Sequence, residues 1–270
     1  MWVICFGFSL GSTKAFWAKG IAVLADYSNR AVGYFAVDYD HQFQFAHKLA
    51  DAAQALYARL KPVHLGVGPD LYIMRDPPRR LLAHIGSKKL YFQTLGSYQW
   101  TEFLTDIIAS AKAGIETLGV RLFQRIGFRI SAFLPLKMTH AEICDLAFGG
   151  YLVPKQDLAD VAGPIDDLLV QLYGTRRSLK TRLSIAPQTA AQASASFLVD
   201  GNLEAVLEHK WLDPGLREFH ERIAADSLWV DIDLYQTEKD SSLLEAFLEE
   251  AVPEAMRIID AAVARLMGTV

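Results

Sequence analysis

Residues 120–134 (VRLFQRIGFRISAFL) constrain the fold more than any other stretch of this chain. Val120, Leu122, Ile126, Phe128 and Ile130 share one parity, and Arg121, Phe123, Arg125, Gly127 and Arg129 share the other. Successive side chains of an extended chain point to opposite faces, so the stretch presents an apolar face and an arginine face. Such a strand belongs to a sheet packed on one side. The chain has the material for that packing: of 270 residues 51% are hydrophobic and 21% charged, with a net charge of −4. A chain of this size buries roughly three quarters of its unfolded surface and needs no disulfide or metal staple. The same figures exclude a disordered chain and a generic polyanion binder.

Periodicity predicts further strands at 3–9, 21–26, 31–38, 71–75, 81–86, 88–95, 179–185, 193–200, 203–208 and 227–235, with turns at Asp76-Pro77-Pro78 and Gly86-Ser87. Helices are expected at 41–60, 98–118, 139–148, 164–173 and from 241 to 267. In the first, Phe45, Leu49, Ala52, Leu56 and Leu60 recur at the spacing of one helical face, and Lys61-Pro62 ends it. Ser97 is a cap candidate for the second. In the last, Ser242 and Glu245 form a capping box, and Leu244, Phe247, Leu248, Ala251, Ile258, Ala262 and Leu266 form the stripe. Pro253 lies inside that helix and should kink or restart it. The fold class is α+β: antiparallel sheets packed against long amphipathic helices, in a single unit spanning 1–270. Two similar halves, 1–119 and 120–270, each ending in a long helix, also fit the pattern, although no residue-level repeat accompanies it.

Charge is uneven. Residues 1–135 carry 15 Lys and Arg against 9 Asp and Glu; residues 136–270 carry 12 against 22. The halves therefore attract each other internally, or present a polarity to a partner. The apolar run 1–10 has no basic residue ahead of it and ends at Gly11-Ser12-Thr13-Lys14, so it reads as a buried strand rather than a signal or membrane span. Cys5 and Cys144 have no motif spacing, which fits a reducing cytoplasm.

Catalytic templates fail in turn. Gly7 to Lys14 (GFSLGSTK) has three residues between its glycines where a Walker loop has four, and its Lys follows the Ser-Thr pair. His41 and His47 are six apart, whereas helical zinc pairs are four apart, and His209 and His220 have no Cys or His at ligand spacing. No Gly-x-Ser-x-Gly occurs. We therefore assign no catalytic residue, no metal and no cofactor. The sharpest polar signal is Asp231 and Asp233, which share one face of a strand. They could hold Mg²⁺, or they could serve as counter-ions for Arg121, Arg125 and Arg129. Arg75, Arg79 and Arg80 flank the Pro77-Pro78 turn and, with Lys88-Lys89, make the compact basic cluster. Phosphate or an acidic partner is its natural contact. No nucleic-acid motif accompanies it, so nucleic acid stays a partner without motif support.

Three stretches together carry a family resemblance. Tyr98-Gln99-Trp100-Thr101-Glu102-Phe103 is similar to a Tyr-x-x-Trp-x-x-Phe helix start, one residue shorter. Arg125-Ile126-Gly127-Phe128-Arg129-Ile130 is similar to an Arg-x-Gly-Leu-Arg-Tyr-Ile-Asn strand, with Ile130 and Ser131 in place of its Tyr and Asn. Val230-Asp231-Ile232-Asp233-Leu234 is similar to a Leu-Asp-Ile-Asp segment before a terminal helix. Over about residues 85–267 the chain thus resembles a sporadically distributed family of uncharacterised bacterial proteins. The resemblance supports the fold and carries no activity. The family's patchy distribution implies carriage on mobile or defence-related loci.

Two functions follow as expectations. One is a non-enzymatic binding or assembly component of the bacterial cytoplasm, with a protein partner or a second copy of itself and no membrane. The other is a Mg-dependent phosphoester or nucleotide enzyme built on Asp231 and Asp233. Arginine in excess around those aspartates favours the first, and a third carboxylate there favours the second.

Overall fold

A computed structural model of the chain describes residues 31–40, 45–95, 100–136, 138–151, 168–192, 221–223 and 225–267. The expected strands at 3–9, 21–26, 193–200 and 203–208, the Gly7–Lys14 loop and the Ser97 cap lie outside the described residues. Among the described residues, nine strands join one antiparallel sheet. In chain order they are β1 (Ala31–Asp38), β2 (His64–Val67), β3 (Leu71–Asp76), β4 (Leu81–Gly86), β5 (Lys89–Leu95), β6 (Leu122–Pro135), β7 (Val170–Arg176), β8 (Leu179–Gln188) and β9 (Ser227–Asp240). Across the sheet they run β2-β3-β4-β5-β1-β6-β9-β8-β7. Helices α1 (Phe45–Leu60), α2 (Trp100–Leu118), α3 (His140–Tyr151) and α4 (Leu244–Met267) pack on it. The class is α+β.

The register shows which face the helices take. Phe35 of β1 lies opposite Phe92 of β5 and Phe128 of β6, and Phe128 lies opposite Leu234 of β9. All four side chains are fully buried, and one continuous core joins them to Leu56 of α1, Phe103 and Ile107 of α2, Ile143 of α3 and Phe247 and Leu248 of α4. The alternate residues of the same strands therefore form the face away from the helices.

Local chemistry explains the element ends. Lys61 takes a left-handed φ of 45° and donates its amide to the Tyr57 carbonyl, closing α1 before Pro62. Thr139 and Glu142 make a reciprocal capping box ahead of α3, with the Thr139 amide 2.7 Å from the Glu142 carboxylate.

Several expectations are corrected. Residues 164–173 are not a helix over their described part, because Val170–Arg176 is an edge strand in register with β8, turning through Arg177 at a φ of 54°. The expected cap of the last helix is also displaced. Asp240, rather than Ser242, caps: its carboxylate accepts from the Ser242 amide at 2.9 Å to start a short 3-10 turn, while Glu245 instead pairs with Lys112 of α2. Of the kink or restart expected at Pro253, the restart does not occur, since one helix runs from Leu244 to Met267. Beyond Pro253 the expected Ala262 is buried, along with Ala255, Met256 and Ile259, while the expected Ile258 is only partly buried.

Phe92 sits at the centre of this core, its ring 6.2 Å from that of Phe35. Replacing it by Ala removes a large buried ring, and Phe92→Ala is expected to lower the stability read from urea melts by about 3–5 kcal/mol. Leu172→Ala, on the exposed edge strand, should change it by less than about 0.5 kcal/mol. Equal losses in the two variants would contradict the assigned faces.

Candidate functional site

Reading straight across the face away from the helices, the register aligns three rows. One runs Gln93–Tyr34–Arg129–Asp233–Arg182–Tyr173, from β5 through β1, β6, β9 and β8 to β7. The next, two residues along each strand, runs His84–Tyr91–Ala36–Gly127–Tyr235–Lys180. A third runs Lys89–Asp38–Arg125–Thr237. On the other side of the first row, Ser131, Asp231 and Ser184 stand abreast.

The charged members interlock. Arg129 donates through Nε to Asp231 at 2.6 Å, and Ser131 donates its hydroxyl to the same carboxylate. Arg125 donates to Asp233 at 2.7 Å. Arg182 bridges both, 3.4 Å from Asp233 and 3.8 Å from Asp231. Asp231 is 1% exposed, so these partners take the place of water around its carboxylate. The guanidiniums also lie over aromatic faces: Arg125 is 4.9 Å from the Tyr235 ring centroid and Arg129 is 5.1 Å from that of Tyr34. Each such contact adds about 0.5–1 kcal/mol and holds the guanidinium flat against the sheet.

Where Ala36 and Gly127 stand side by side, the face has no side chains to fill it. The result is a pocket of about 220 Å³, walled by Tyr34, Tyr91 and His84 and edged by Lys89, Arg125, Arg129 and Asp233. Gly127 is needed there. A Cβ at this position would come within 2.6 Å of Arg125 Nη1. His84 stacks on Tyr91 at 4.8 Å between centroids. Burial, and secondarily the nearby Lys89 charge, pushes its pKa down to about 4, so the ring is neutral at pH 7. Lys89 lies 3.8 Å from Asp38 and 5.5 Å from the Tyr91 ring.

The structure thus brings together Arg125, Arg129, Asp231 and Asp233 among the candidates named from the sequence. Arg121 is not with them. It precedes β6, Leu122 is exposed and Phe123 is fully buried, so the alternation of faces reverses at the start of the strand. Opposite this point, between the Lys239 and Thr237 pairings, Glu238 takes a left-handed φ of 56°. The basic turn is divided as well. Arg79 reaches the helix layer, pairing with Asp76 at 2.7 Å and Asp106 of α2 at 3.1 Å and donating to the Leu60 carbonyl that ends α1. That makes it a structural clamp. Arg80 occupies the left-handed position of the turn, at a φ of 52°. Arg75 falls on the first row's outer extension, opposite Leu82 of β4. Sequence reasoning missed Tyr34, His84, Tyr91, Arg182 and Tyr235. Period two would have found several, since Tyr91 is two from Lys89, Tyr235 two from Asp233 and Arg182 two from Lys180.

Among the described residues, no group of three His, Cys, Asp or Glu gathers that could hold a metal, and no helix is long and apolar enough to cross a membrane. The chain matches no protein-family model, and a search of curated proteins returns no match.

Two measurements probe this face. Arg129→Met strips the nearest cation from buried Asp231 and should cost about 3 kcal/mol in urea melts, the low end for a broken buried pair because Arg182 remains close. A loss under about 0.5 kcal/mol would contradict the lock. His84 binds its proton more weakly folded than unfolded, so it adds a loss of stability as pH falls from 6.5 to 4. Over that window the wild type should lose about 3 kcal/mol more than His84→Asn, a difference that matched curves would disprove.

Proposed function

We propose that this chain is a non-enzymatic binding or assembly component of the bacterial cytoplasm, working by holding an extended segment of another protein chain against its sheet. The observation that carries this reading is the pair of strands that end the sheet among the described residues, β2 and β7. All four residues of β2 are exposed, with Leu65 and Val67 among them, and β7 exposes Leu172 and Tyr173. Edge strands present unpaired backbone donors and acceptors, and exposed apolar side chains on them favour strand addition by a partner or a second copy. The opposite charges of the two halves would steer such an encounter. Family resemblance, with its patchy distribution, supports placement on a mobile or defence-related locus.

The enzyme alternative weakens on its own criterion. Asp231 and Asp233 face three arginines, an excess of cations rather than a third carboxylate. The long helices fit the amphipathic reading, because each buries one stripe against the sheet. We also read the chain as two similar halves. In each, a first strand is followed by a helix, a run of strands whose last member pairs back on the first, and a closing helix: β1 with β5, then β6 with β9. The first strands of the halves, β1 and β6, meet at the centre.

Light scattering tests the assembly. Association should be measurable at 0.1 M salt and weaker at 1 M, where the Debye length falls from about 10 Å to about 3 Å. It should weaken roughly tenfold or more in Leu172→Lys or Val67→Lys, which place a charge on an edge. A monomer that recovers no partner yet turns over a nucleotide or phosphoester with Mg²⁺, and loses that turnover in Asp231→Asn or Asp233→Asn, would establish the enzyme instead.

A further inference from the structure

The two strands that end the sheet among the described residues offer different things. β2 has four residues. β7 has seven, Val170–Arg176, and from Gln171 to Arg176 every one is exposed, Leu172 at 50% and Tyr173 at 71%. The turn at Arg177-Ser178 fixes which backbone groups of β7 point outward. Arg176 and Leu179 flank this two-residue turn as a hydrogen-bonded pair, and by alternation Gly174, Leu172 and Val170 bond to β8 as well. Gln171, Tyr173 and Thr175 therefore direct their amides and carbonyls away from β8, at the spacing another antiparallel strand would match.

β7 is complementary to itself. Turned antiparallel about Tyr173, two copies overlap over all seven residues: Gln171 meets Thr175, Leu172 meets Gly174, and Tyr173 meets its own counterpart. Outward-facing residues then pair only with outward-facing ones, so each hydrogen bond of the added ladder has its partner. Leu172 and Gly174 both lie on the helix side, level with buried Ile232 and Leu234 of β9 through Leu183 and Thr181 of β8. A Cβ at Gly174 would meet nothing within 4 Å, so the space beside it is vacant. The pairing sets Leu172 of each copy over that space in the other, once on either side of the two-fold axis. On the opposite face Gln171 and Thr175 make a polar pair, and the two Tyr173 rings make a cross-strand aromatic pair.

Charge selects the antiparallel sense. The chain enters β7 after Asp166 and Asp167 and leaves it through Arg176 and Arg177. Glu254 already holds Arg176 at 3.3 Å and Arg257 at 2.6 Å, and Arg177 has no ion pair of its own among the described residues. About Tyr173, Arg177 of each copy comes level with Leu169 of the other, two residues from Asp167. Parallel pairing would bring like charges together at both ends. We propose that the occupant of the β7 edge is β7 of a second copy, paired antiparallel about Tyr173 so that two nine-stranded sheets join edge to edge. The pairing rests on the reading of the chain as a strand-adding binding protein, and it names the partner at one of the two ends. With seven residues a side, against roughly 20–30 in a standard interface, the dimer is a weak one.

Disulfide trapping reads the register directly, on the full chain carrying Cys5→Ser and Cys144→Ala. Leu172→Cys changes an exposed side chain, and Gly174→Cys has room for its Cβ. Facing Cα atoms of a non-hydrogen-bonded antiparallel pair lie about 4.5 Å apart, inside the disulfide range. Leu172 and its own counterpart are diagonal neighbours about 7–8 Å apart, beyond it. Under mild oxidation an equal mixture of the two variants should therefore cross-link into dimer roughly tenfold or more faster than either variant alone. In sedimentation velocity the wild type should shift toward dimer between about 10 µM and 1 mM. Thr175→Pro removes an outward amide and no bond to β8, so it should weaken that shift by roughly tenfold or more with the melting temperature nearly unchanged. Cross-linking no faster in the mixture than in the single variants, self-cross-linking of Leu172→Cys at the mixture's rate, or a monomer throughout that range would each overturn self-pairing. None of these readouts reports capture of a foreign segment, so their failure leaves the binding reading standing; that reading falls instead on Mg²⁺-dependent turnover lost in Asp231→Asn or Asp233→Asn.

Discussion

The register between β6 and β9 is the constraint on which the rest of this structure depends. Their pairing runs from Leu122 opposite Asp240 to Pro135 opposite Ser227. It sets Phe128 against Leu234 and Ile130 against Ile232 on the helix side, and Arg129 against Asp233 and Ser131 against Asp231 on the other. Because side chains alternate with a period of two, a slip of one residue would carry every arginine into the core and every aromatic out of it. Hydrophobic burial and ion pairing thus enforce the same alignment from opposite faces, and neither would tolerate the other's absence.

This double enforcement also explains the composition of the strand face. Buried Asp231 requires guanidinium partners, and Arg129 and Arg182 come from the strands on either side of β9. Arg129 in turn lies over Tyr34, and Arg125 over Tyr235. What remains is one place where neighbouring strands both carry minimal side chains, Ala36 beside Gly127. The notch is therefore a consequence of two small residues falling in register, set within a face that is otherwise filled by long ones.

Much of the fold was legible because it rests on period. The strand patterns of 31–38 and 120–134, and the stripe of Trp100, Phe103, Leu104, Ile107, Ile108, Ala111, Ile115 and Leu118, place those elements by pattern alone; Phe103, Leu104, Ile107, Ala111, Ile115 and Leu118 are buried and Ile108 partly so. The misreadings have physical causes that a pattern cannot carry. An edge strand such as β7 buries only Val170, so its residues hold no stripe to distinguish strand from helix. Glu238 adopts a left-handed conformation without the glycine that would announce it, opposite the point where the faces reverse at Phe123. In the site, the i, i+2 spacing of Asp231 and Asp233 and the arginines of β6 suggested their own pairing. Tyr34, His84 and Tyr91 belong to strands whose adjacency is a matter of sheet order, which no local window contains.

Sheet order also sets a schedule for the chain as it leaves the ribosome. β1 is made before β5, which follows some fifty residues later, and its other side waits for β6, which starts at Leu122. Until then one flank of β1, with Phe35 and Val37 among its residues, is an unfinished edge in a nascent chain. β6 in turn pairs with β9, which starts only at Ser227, so the centre of the finished sheet is the last part to be sealed. A seam at the centre of the mature sheet thus begins as an open edge, and the span between Asp38 and Leu122 sets how long β1 waits for β6.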